Sequence, residues 1–366
     1  LLKMKLRKKE AKIGIKKNID SNFSGQIAGI YFSPRMFKNF EFVKDCILNV
    51  FKTGYKWICL HAGWHTHLTV ADALVHDVIK KSTIFAKKIG LKVMVDMTPD
   101  AWMKSFIDYY PGGWQEIFPN AGGMCEYKGA ILGLHGEVSL LPWEYKIIED
   151  SKDKVSVKFS VYTYRTPFYL EKTITIKSGT PYIEIDEEVR NLAGEEVDFI
   201  WGHHPAFGKP FLSESCVINI KGGKVKVVSG DGKSYTNLKK QDGIWPFVEG
   251  IDGKFIDISK VPSENDNVSD IIFISQLEEG YYEIINEKLK IGFFMEFPKE
   301  IFKYIWFWRI ARGSYNYPWW GRTYNIALEP FSSLPVLSEA IKRNDQLKLK
   351  EKGSLKVSLK AGVKKI

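Results

Sequence analysis

The sequence predicts a mainly β protein: a large antiparallel β-sandwich preceded by a small α/β segment. Between residues 27 and 97, short apolar runs alternate with segments of helical period. From residue 131 onward helical periods almost vanish, and apolar and polar side chains alternate with a period of two. We therefore expect a basic tail over 1–26, an α/β segment over 27–100 and a β-sandwich over 101–366.

The α/β segment is predicted from its order of elements. Apolar runs at 27–32, 57–61 and 91–97 predict strands, and two helical patterns lie between them, followed by Gly54 and Gly90. This βαβαβ order is typical of a parallel sheet. Three strands are far short of the eight of a complete barrel, so the segment resembles a fragment of an α/β barrel.

The sandwich is predicted from many short alternating runs. Residues 155–161 place Val and Phe at every second position, and the runs YLEKTITIK, PYIEIDEEV and LKIGFFMEF repeat the pattern. Turn signals such as Gly222-Gly223 separate such runs. Strands of this kind over some 230 residues indicate a sandwich or barrel.

Composition excludes several classes of protein. The net charge is +10, but residues 1–18 hold eight basic side chains against one acidic one, which is typical of a solvated arm rather than a nucleic-acid surface. No apolar stretch is long enough to span a bilayer. Four isolated cysteines predict no disulfides. We expect a cytoplasmic protein that binds neither nucleic acid nor membrane. The sequence contains no dinucleotide-binding or P-loop motif, so we expect no nucleotide cofactor.

Four short segments concentrate unusual residues. They are GGWQEIFP at 112–119, LHGE at 134–137 with LPW at 141–143, WGHHPAFG at 201–208 and YNIALEP at 324–330. In this order and at these separations they resemble the aldose 1-epimerase, or galactose mutarotase-like, family, over about residues 109–362. The resemblance implies a β-supersandwich whose concave face binds a sugar and interconverts its α and β anomers without a cofactor.

The resemblance also implies roles for individual residues. Glu329 corresponds to the general base that removes the anomeric proton, and His204 to the general acid that protonates the ring oxygen. His135 corresponds to a second histidine on the ring-oxygen side. The residues expected to bind the sugar are Asp270, matched by position only, with His203, Trp114, Glu116, Arg322 and Trp319.

The residues themselves are compatible with this chemistry. Opening a sugar ring needs an acid and a base poised near neutral pH, which a partly buried Glu and a His can provide. Glu329 lies in an otherwise apolar run, where a carboxylate without a partner is costly. The alternatives are a buried salt bridge of Glu329 with Arg309 or Arg322, a hydrogen-bonded core histidine at 204, and a strand-end histidine at 135.

Two departures from the family leave a second function open. The first hundred residues are α/β, and no arginine lies between Arg35 and His135, where the family commonly has a substrate-binding one. A noncatalytic carbohydrate-binding protein is therefore the alternative; glycoside hydrolysis would need a carboxylate pair that sequence cannot show. An open cleft with Glu329 and His204 across a sugar-sized gap would favour the enzyme.

The α/β segment holds its own cluster, CLHAGWHTH. His61, His65 and His67 follow a predicted strand, and Asp96 ends the next one. A metal site there is one interpretation and a polar loop the other. We expect anomer interconversion itself to need no metal, because a Glu and a His can move both protons.

Overall fold

A computed structural model describes residues 13–16, 27–32, 40–52, 57–62, 73–97, 106–107, 110, 112–228 and 235–366. The chain divides into two compact units, Leu1–Trp102 and Met103–Ile366. None of the helices within the described ranges is long and apolar enough to cross a membrane.

The first unit is a four-stranded sheet with two helices. Its elements are β1 (Ile13–Lys16), β2 (Ile27–Phe32), α1 (Phe40–Lys52), β3 (Trp57–Ala62), α2 (Ala73–Lys88) and β4 (Lys92–Met97). Strands β2, β3 and β4 are parallel neighbours, as the βαβαβ order predicts. Helix α1 buries Val43, Ile47 and Val50, whose spacing of four and three places them on one helical face.

Strand β1 lies inside the segment expected to be a solvated arm. It pairs antiparallel with β2, with Ile13 opposite Ile30 and Ile15 opposite Ala28. Two β-branched residues at alternate positions favour a strand here despite the surrounding lysines. The count of basic residues concealed this local pattern.

The second unit confirms the predicted antiparallel sandwich. Its strands are β5 (Trp114–Ile117), β6 (Cys125–Tyr127), β7 (Ala130–Leu132), β8 (Glu144–Asp150), β9 (Lys154–Tyr162), β10 (Phe168–Lys177), β11 (Tyr182–Asn191), β12 (Val197–Phe199), β13 (Gly202–Phe207), β14 (Cys216–Val228), β15 (Gln241–Ile244), β16 (Phe247–Glu249), β17 (Phe255–Asp257), β18 (Val268–Asn286), β19 (Ile291–Glu296), β20 (Tyr304–Ala311), β21 (Tyr324–Phe331), β22 (Leu347–Leu349) and β23 (Ser354–Lys365), with helix α3 (Leu337–Arg343) before β22. The pairing order β17-β16-β15-β14-β18-β19-β23-β11-β10-β9-β8 forms one run. A second run, β5-β13-β21-β20, joins it at β18.

The two faces of the second run differ in character. On one face Ile272, Phe307 and Leu328, which come from three adjacent strands, are fully buried. This is the interior of the sandwich. The other face, called here the site face, carries the alternate residues His204, Glu329 and Trp308.

Glycine explains why two of the sequence motifs pack together. Gly202 of WGHHPAF is the cross-strand partner of Phe331, which follows the LEP motif. A Cβ at position 202 would lie 2.0 Å from Cδ1 of Phe331. The Phe331 ring thus occupies the space that a side chain at 202 would need, and β13 and β21 approach closely beside the site face.

Candidate functional site

Glu329 and His204 lie side by side on the site face. The register of β13 and β21 pairs Gly202 with Phe331 and Ala206 with Ala327, which sets residue 204 opposite residue 329. Nε2 of His204 is 3.4 Å from Oε1 of Glu329, and 5% and 3% of the two residues are exposed. The structure brings together the two residues that the sequence nominated as acid and base.

The pair differs from the arrangement that the sequence led us to expect. A sugar-sized gap between the two groups is absent, because the nitrogen and the oxygen are in direct contact. Facing positions on neighbouring strands hold side chains this close. A ligand therefore has to approach both groups from the same side.

Burial shifts the two groups of the pair in opposite directions. It raises the pKa of Glu329 well above the ordinary carboxyl value and lowers the pKa of His204 to about 4. Both shifts favour the uncharged forms, a protonated Glu329 and a neutral His204. The pair holds one proton between an acid and a base in contact.

Tyr110 contacts the other side of the His204 ring. Its hydroxyl is 3.4 Å from Nδ1, and the two rings are edge to face at 5.3 Å. Burial, and then the carboxylate of Glu329, raise the pKa of Tyr110, so the phenol keeps its proton at neutral pH. His204 is thus held between a phenol and a carboxyl group.

His135 lies next to His204, with ring centroids 5.6 Å apart. Its backbone has a positive φ of 59°, its N–H donates to the Gly122 carbonyl, and its Nδ1 accepts from the Gly122 N–H. Burial, and then His204, lower the pKa of His135 to about 3. At Gly136, φ is 75° and a Cβ would lie 2.2 Å from the Phe118 oxygen, so the HG motif fixes this turn.

Aromatic rings surround the pair. Trp308 is 6.1 Å from His204 by ring centroids, Trp319 is 5.1 Å from Trp308, and Phe106 is 4.6 Å from His135. Trp319, one of the residues expected to bind the sugar, comes from the loop between β20 and β21. Phe106 and Tyr110 were not among the candidates, because residues 106–110 carry no periodic pattern that would indicate them.

Gln115 is a further residue of the site face that the sequence did not indicate. It is the register partner of His204 on strands β5 and β13. Its amide nitrogen donates to the Gly112 carbonyl at 2.7 Å. Its Oε1 is buried and has no hydrogen-bond partner.

His203, Glu116 and Trp114, expected to bind the sugar, face the interior instead. Trp114 donates from Nε1 to Nδ1 of His203 at 3.2 Å, and Nε2 of His203 is 3.1 Å from Oε2 of Glu187. His203 and His204 alternate along β13, so only one of them can project from the site face. The structure does not bring these three residues to the Glu329–His204 pair.

Glu116 and Glu187 belong to a group of ionisable residues that we call the interior cluster: Glu116, Lys172, Glu187 and His203. Glu116 accepts from Lys172 and from the indole of Trp201, each at 3.0 Å. Burial, and then Glu116, raise the pKa of Glu187. Hydrogen bonds join Glu116 to Lys172 and Glu187 to His203 on the side of β13 away from His204.

Asp270 is engaged in a buried ion pair. Its Oδ2 accepts from Nε of Arg309 at 2.7 Å, and Thr236 donates to its Oδ1. This pairing uses Arg309 and leaves no salt bridge between Arg309 and Glu329. Arg322 is exposed and lies in the loop that carries Trp319. Neither Asp270 nor Arg322 contacts the pair.

The metal hypothesis for the first unit concerns residues beyond those described. His65 and His67 lie outside the described ranges, and of the His61 and Asp96 side chains nothing is described. Within the ranges that are described, no group of three His, Cys, Asp or Glu side chains could hold a metal ion.

The opposite pKa shifts of the pair predict how stability depends on pH. The pKa of His204 in the folded protein, about 4, lies below its ordinary 6.5. The contribution of its titration to the free energy of unfolding is therefore complete above pH 6.5 and is lost as the pH falls toward 4. The pKa of Glu329 in the folded protein lies above its ordinary 4.5. The contribution of its titration to the free energy of unfolding is therefore complete below pH 4.5 and is lost as the pH rises. We expect His204→Asn to cost less stability near pH 5 than near pH 7, and Glu329→Gln to show the reverse.

Urea unfolding of the wild type and both variants at the two pH values measures this difference. Each variant should change the pH slope by up to about 1.4 kcal/mol per pH unit, the value for one proton. A slope that changes in the same direction in both variants would contradict the opposite protonation of the two groups.

The chain is similar to one family of sequences and to several solved structures. The profile of a family described as "Domain of unknown function (DUF4432)" matches residues 113–363. None of the curated proteins is significantly similar in sequence. The Slr1438 protein of Synechocystis sp. PCC 6803 shares 16% identity over 69% of this chain and 78% of its own, with a TM-score of 0.50.

A second solved structure is a Klebsiella pneumoniae protein provisionally named aldose 1-epimerase. It shares 15% identity over 68% of this chain, with a TM-score of 0.51. This chain spans 62% of the length of the Klebsiella protein. At these identities the two likenesses establish the fold of the sandwich.

Proposed function

Given that this chain belongs to the DUF4432 family through residues 113–363, we propose that it is a sugar mutarotase, an isomerase that interconverts the α and β anomers of an aldose. One observation carries the proposal: a buried Glu and a buried His lie 3.4 Å apart on one face of the sandwich. The fold shared with a protein provisionally named aldose 1-epimerase supports it.

The direct contact of the two groups suits the geometry of a cyclic sugar. The anomeric hydroxyl oxygen and the ring oxygen are bonded to the same carbon, so they too lie side by side. Neighbouring groups can therefore serve both oxygens from one direction, one taking a proton while the other gives one. A wide gap between acid and base is unnecessary for this reaction.

The proton of the pair moves in a closed circuit. Burial favours the form with this proton on Glu329; a bound sugar brings hydroxyl groups that can hydrogen-bond the carboxylate and favour the charged form of the pair. In that form Glu329 takes the proton of the anomeric hydroxyl and His204 gives one to the ring oxygen. The ring opens, the C1–C2 bond rotates, and the reverse transfers close the other anomer and restore the pair.

The neighbouring residues have supporting roles in this proposal. The Tyr110 hydroxyl can hydrogen-bond Nδ1 of His204 and so orient the ring, and His135 lines the same side of the pair. Trp308 and Trp319 offer flat surfaces to the C–H faces of a sugar ring. The chemistry requires no bound cofactor.

A noncatalytic carbohydrate-binding protein is the second candidate. The observation that favours it is the burial of His204 and Glu329 beside Phe106 and Tyr110, which restricts the approach of a ligand to the pair. Such a protein would bind a sugar through the same aromatic rings without exchanging its anomers.

Anomer exchange measures the difference between the two candidates. Polarimetry of freshly dissolved α-anomers, or exchange NMR at equilibrium, should show acceleration by the wild type for at least one sugar of an aldose panel. The acceleration should persist in the presence of a chelator. Binding of a sugar without faster exchange would favour the noncatalytic candidate.

A further inference from the structure

Gln115 carries a hydrogen-bond acceptor with no partner beside the proposed acid–base pair. In the described part of the chain, five buried side-chain atoms lack a hydrogen-bond partner: Ser82 Oγ, Gln115 Oε1, Ser139 Oγ, Glu187 Oε1 and Gln346 Oε1. Of these residues, Gln115 is the one set opposite His204 in the strand register. A buried acceptor without a donor is destabilising, so it calls for a group that satisfies it.

The orientation of the Gln115 amide is fixed. Its nitrogen donates to the Gly112 carbonyl at 2.7 Å, so the oxygen and nitrogen positions follow from the hydrogen bond. The remaining atom, Oε1, can only accept. It therefore matches a hydroxyl or N–H donor and not another carbonyl or an anion.

The neighbouring residue shows the contrast between the two faces of β5. Glu116 points to the interior, where both of its oxygens accept hydrogen bonds, from Lys172 and Trp201. Gln115 points to the site face and accepts none. The unpartnered acceptor of Gln115 thus lies on the face of β5 next to His204, where a ligand of the Glu329–His204 pair could supply its donor.

We propose that Gln115 binds a hydroxyl group of the substrate close to the reacting carbon and thereby selects for sugars that carry that hydroxyl. The proposal rests on the proposed function, because it takes the ligand of the site face to be a sugar. A site built around a fixed acceptor discriminates against analogues that lack the donor, because the acceptor is then buried unpaired. The structure thus assigns a specificity role to a residue that lies inside the GGWQE segment.

The test combines one protein variant with deoxy sugars. The probes are D-glucose, D-galactose and their monodeoxy analogues, and the readout is equilibrium affinity from the sugar-induced rise in melting temperature. Gln115→Met keeps the size of the side chain and removes the acceptor; we expect it to weaken binding by about tenfold. For the wild type, one monodeoxy analogue should bind about tenfold more weakly than its parent sugar. That analogue should bind the wild type and Gln115→Met with equal affinity, because it lacks the hydroxyl that Oε1 would accept from.

Gln346→Met is the matched control. Gln346 also has a buried, unpartnered Oε1 and donates from its amide to Asp198, but it contacts no residue of the pair. Its substitution should leave sugar affinity unchanged. Should Gln115→Met fail to fold, the wild type alone tests the inference: one monodeoxy analogue should still bind about tenfold more weakly than its parent sugar, and equal binding of all analogues would overturn the inference.

The outcomes separate this inference from the proposed function. If the wild type binds and exchanges a sugar but Gln115→Met binds every probe as tightly, Oε1 is satisfied by water and this inference alone is overturned. If Gln115→Met shows the expected loss but the wild type exchanges no anomers, the inference stands and the enzymatic proposal fails. A wild type that binds neither these probes nor any other sugar of the aldose panel overturns both.

Discussion

Glu329→Gln and His204→Asn should each lower the rate of anomer exchange by about 10² to 10⁴, the usual effect of losing a general acid or base. Gln keeps the shape of Glu329 and cannot take a proton; Asn keeps a polar group at 204 and cannot give one. Sugar affinity should change far less than the rate. Exchange NMR on the best sugar of the panel measures the rate, and calorimetric titration measures the affinity.

The double variant tests whether the two groups form one circuit. It should be little slower than the slower single variant, because a proton circuit interrupted once is already interrupted. His135→Asn should lie between wild type and these variants and change rate and affinity together. Near wild-type exchange by Glu329→Gln would refute the mechanism and favour the carbohydrate-binding protein.

His203→Asn is a control from the adjacent position of the same strand. His203 contacts Glu187 and Trp114 on the interior side and does not contact the pair. Its loss should reduce stability while the folded fraction keeps its turnover. A fall in turnover equal to that of His204→Asn would mean that the effect reflects damage to β13 rather than loss of an acid.

The fold was predictable from sequence because its signals are local. Strand β2 (Ile27–Phe32) and helix α1 (Phe40–Lys52) follow from apolar spacing within a few residues. The alternating runs that form β9, β10 and β11 were visible for the same reason. The sequence did not predict strand β1. Its two isoleucines lie among many basic residues, and the high charge of that stretch indicated a solvated tail instead.

The site was only partly predictable because its assembly depends on the register of distant strands. Motifs nominated His204 and Glu329, but choosing between Gln115 and Glu116 requires knowing that residue 115 pairs with 204. Alternation along a strand shows that His203 and His204 cannot share a face. It does not show which residue of β5 pairs with His204, because that pairing joins segments almost 90 residues apart and no local pattern encodes it.

The same limit applies to Asp270. Sequence places it at the start of a strand where a sugar ligand is plausible, but its partner Arg309 is 39 residues away. Once β18 and β20 pair, the two charges face each other and neutralise one another inside the protein. The charge of Asp270 is thus paired within the sandwich by a residue that no local pattern indicates.

Lys172→Met should destabilise the sandwich by about 3–5 kcal/mol, the cost of leaving a buried charge without its partner. Lys172 donates to Glu116 at 3.0 Å, with 22% and 3% of the two side chains exposed. Burial alone would lower the pKa of Lys172, but the carboxylates of Glu116 and Glu187 outweigh it and raise the pKa. The ammonium group is therefore charged in the folded protein, and its removal leaves Glu116 facing Glu187 without a cation.

Urea unfolding measures the loss, and two further variants define its origin. Lys177→Met removes a surface partner of Glu184 and should cost far less stability than Lys172→Met. The double variant Lys172→Met with Glu116→Gln removes both charges, so it should regain much of the stability lost in the single variant. If the double variant is as unstable as the sum of the two single variants, the loss comes from the contact of the Lys172 ammonium group with the Trp143 ring rather than from an unpaired charge, and the interior cluster does not stabilise the sandwich through its ion pair.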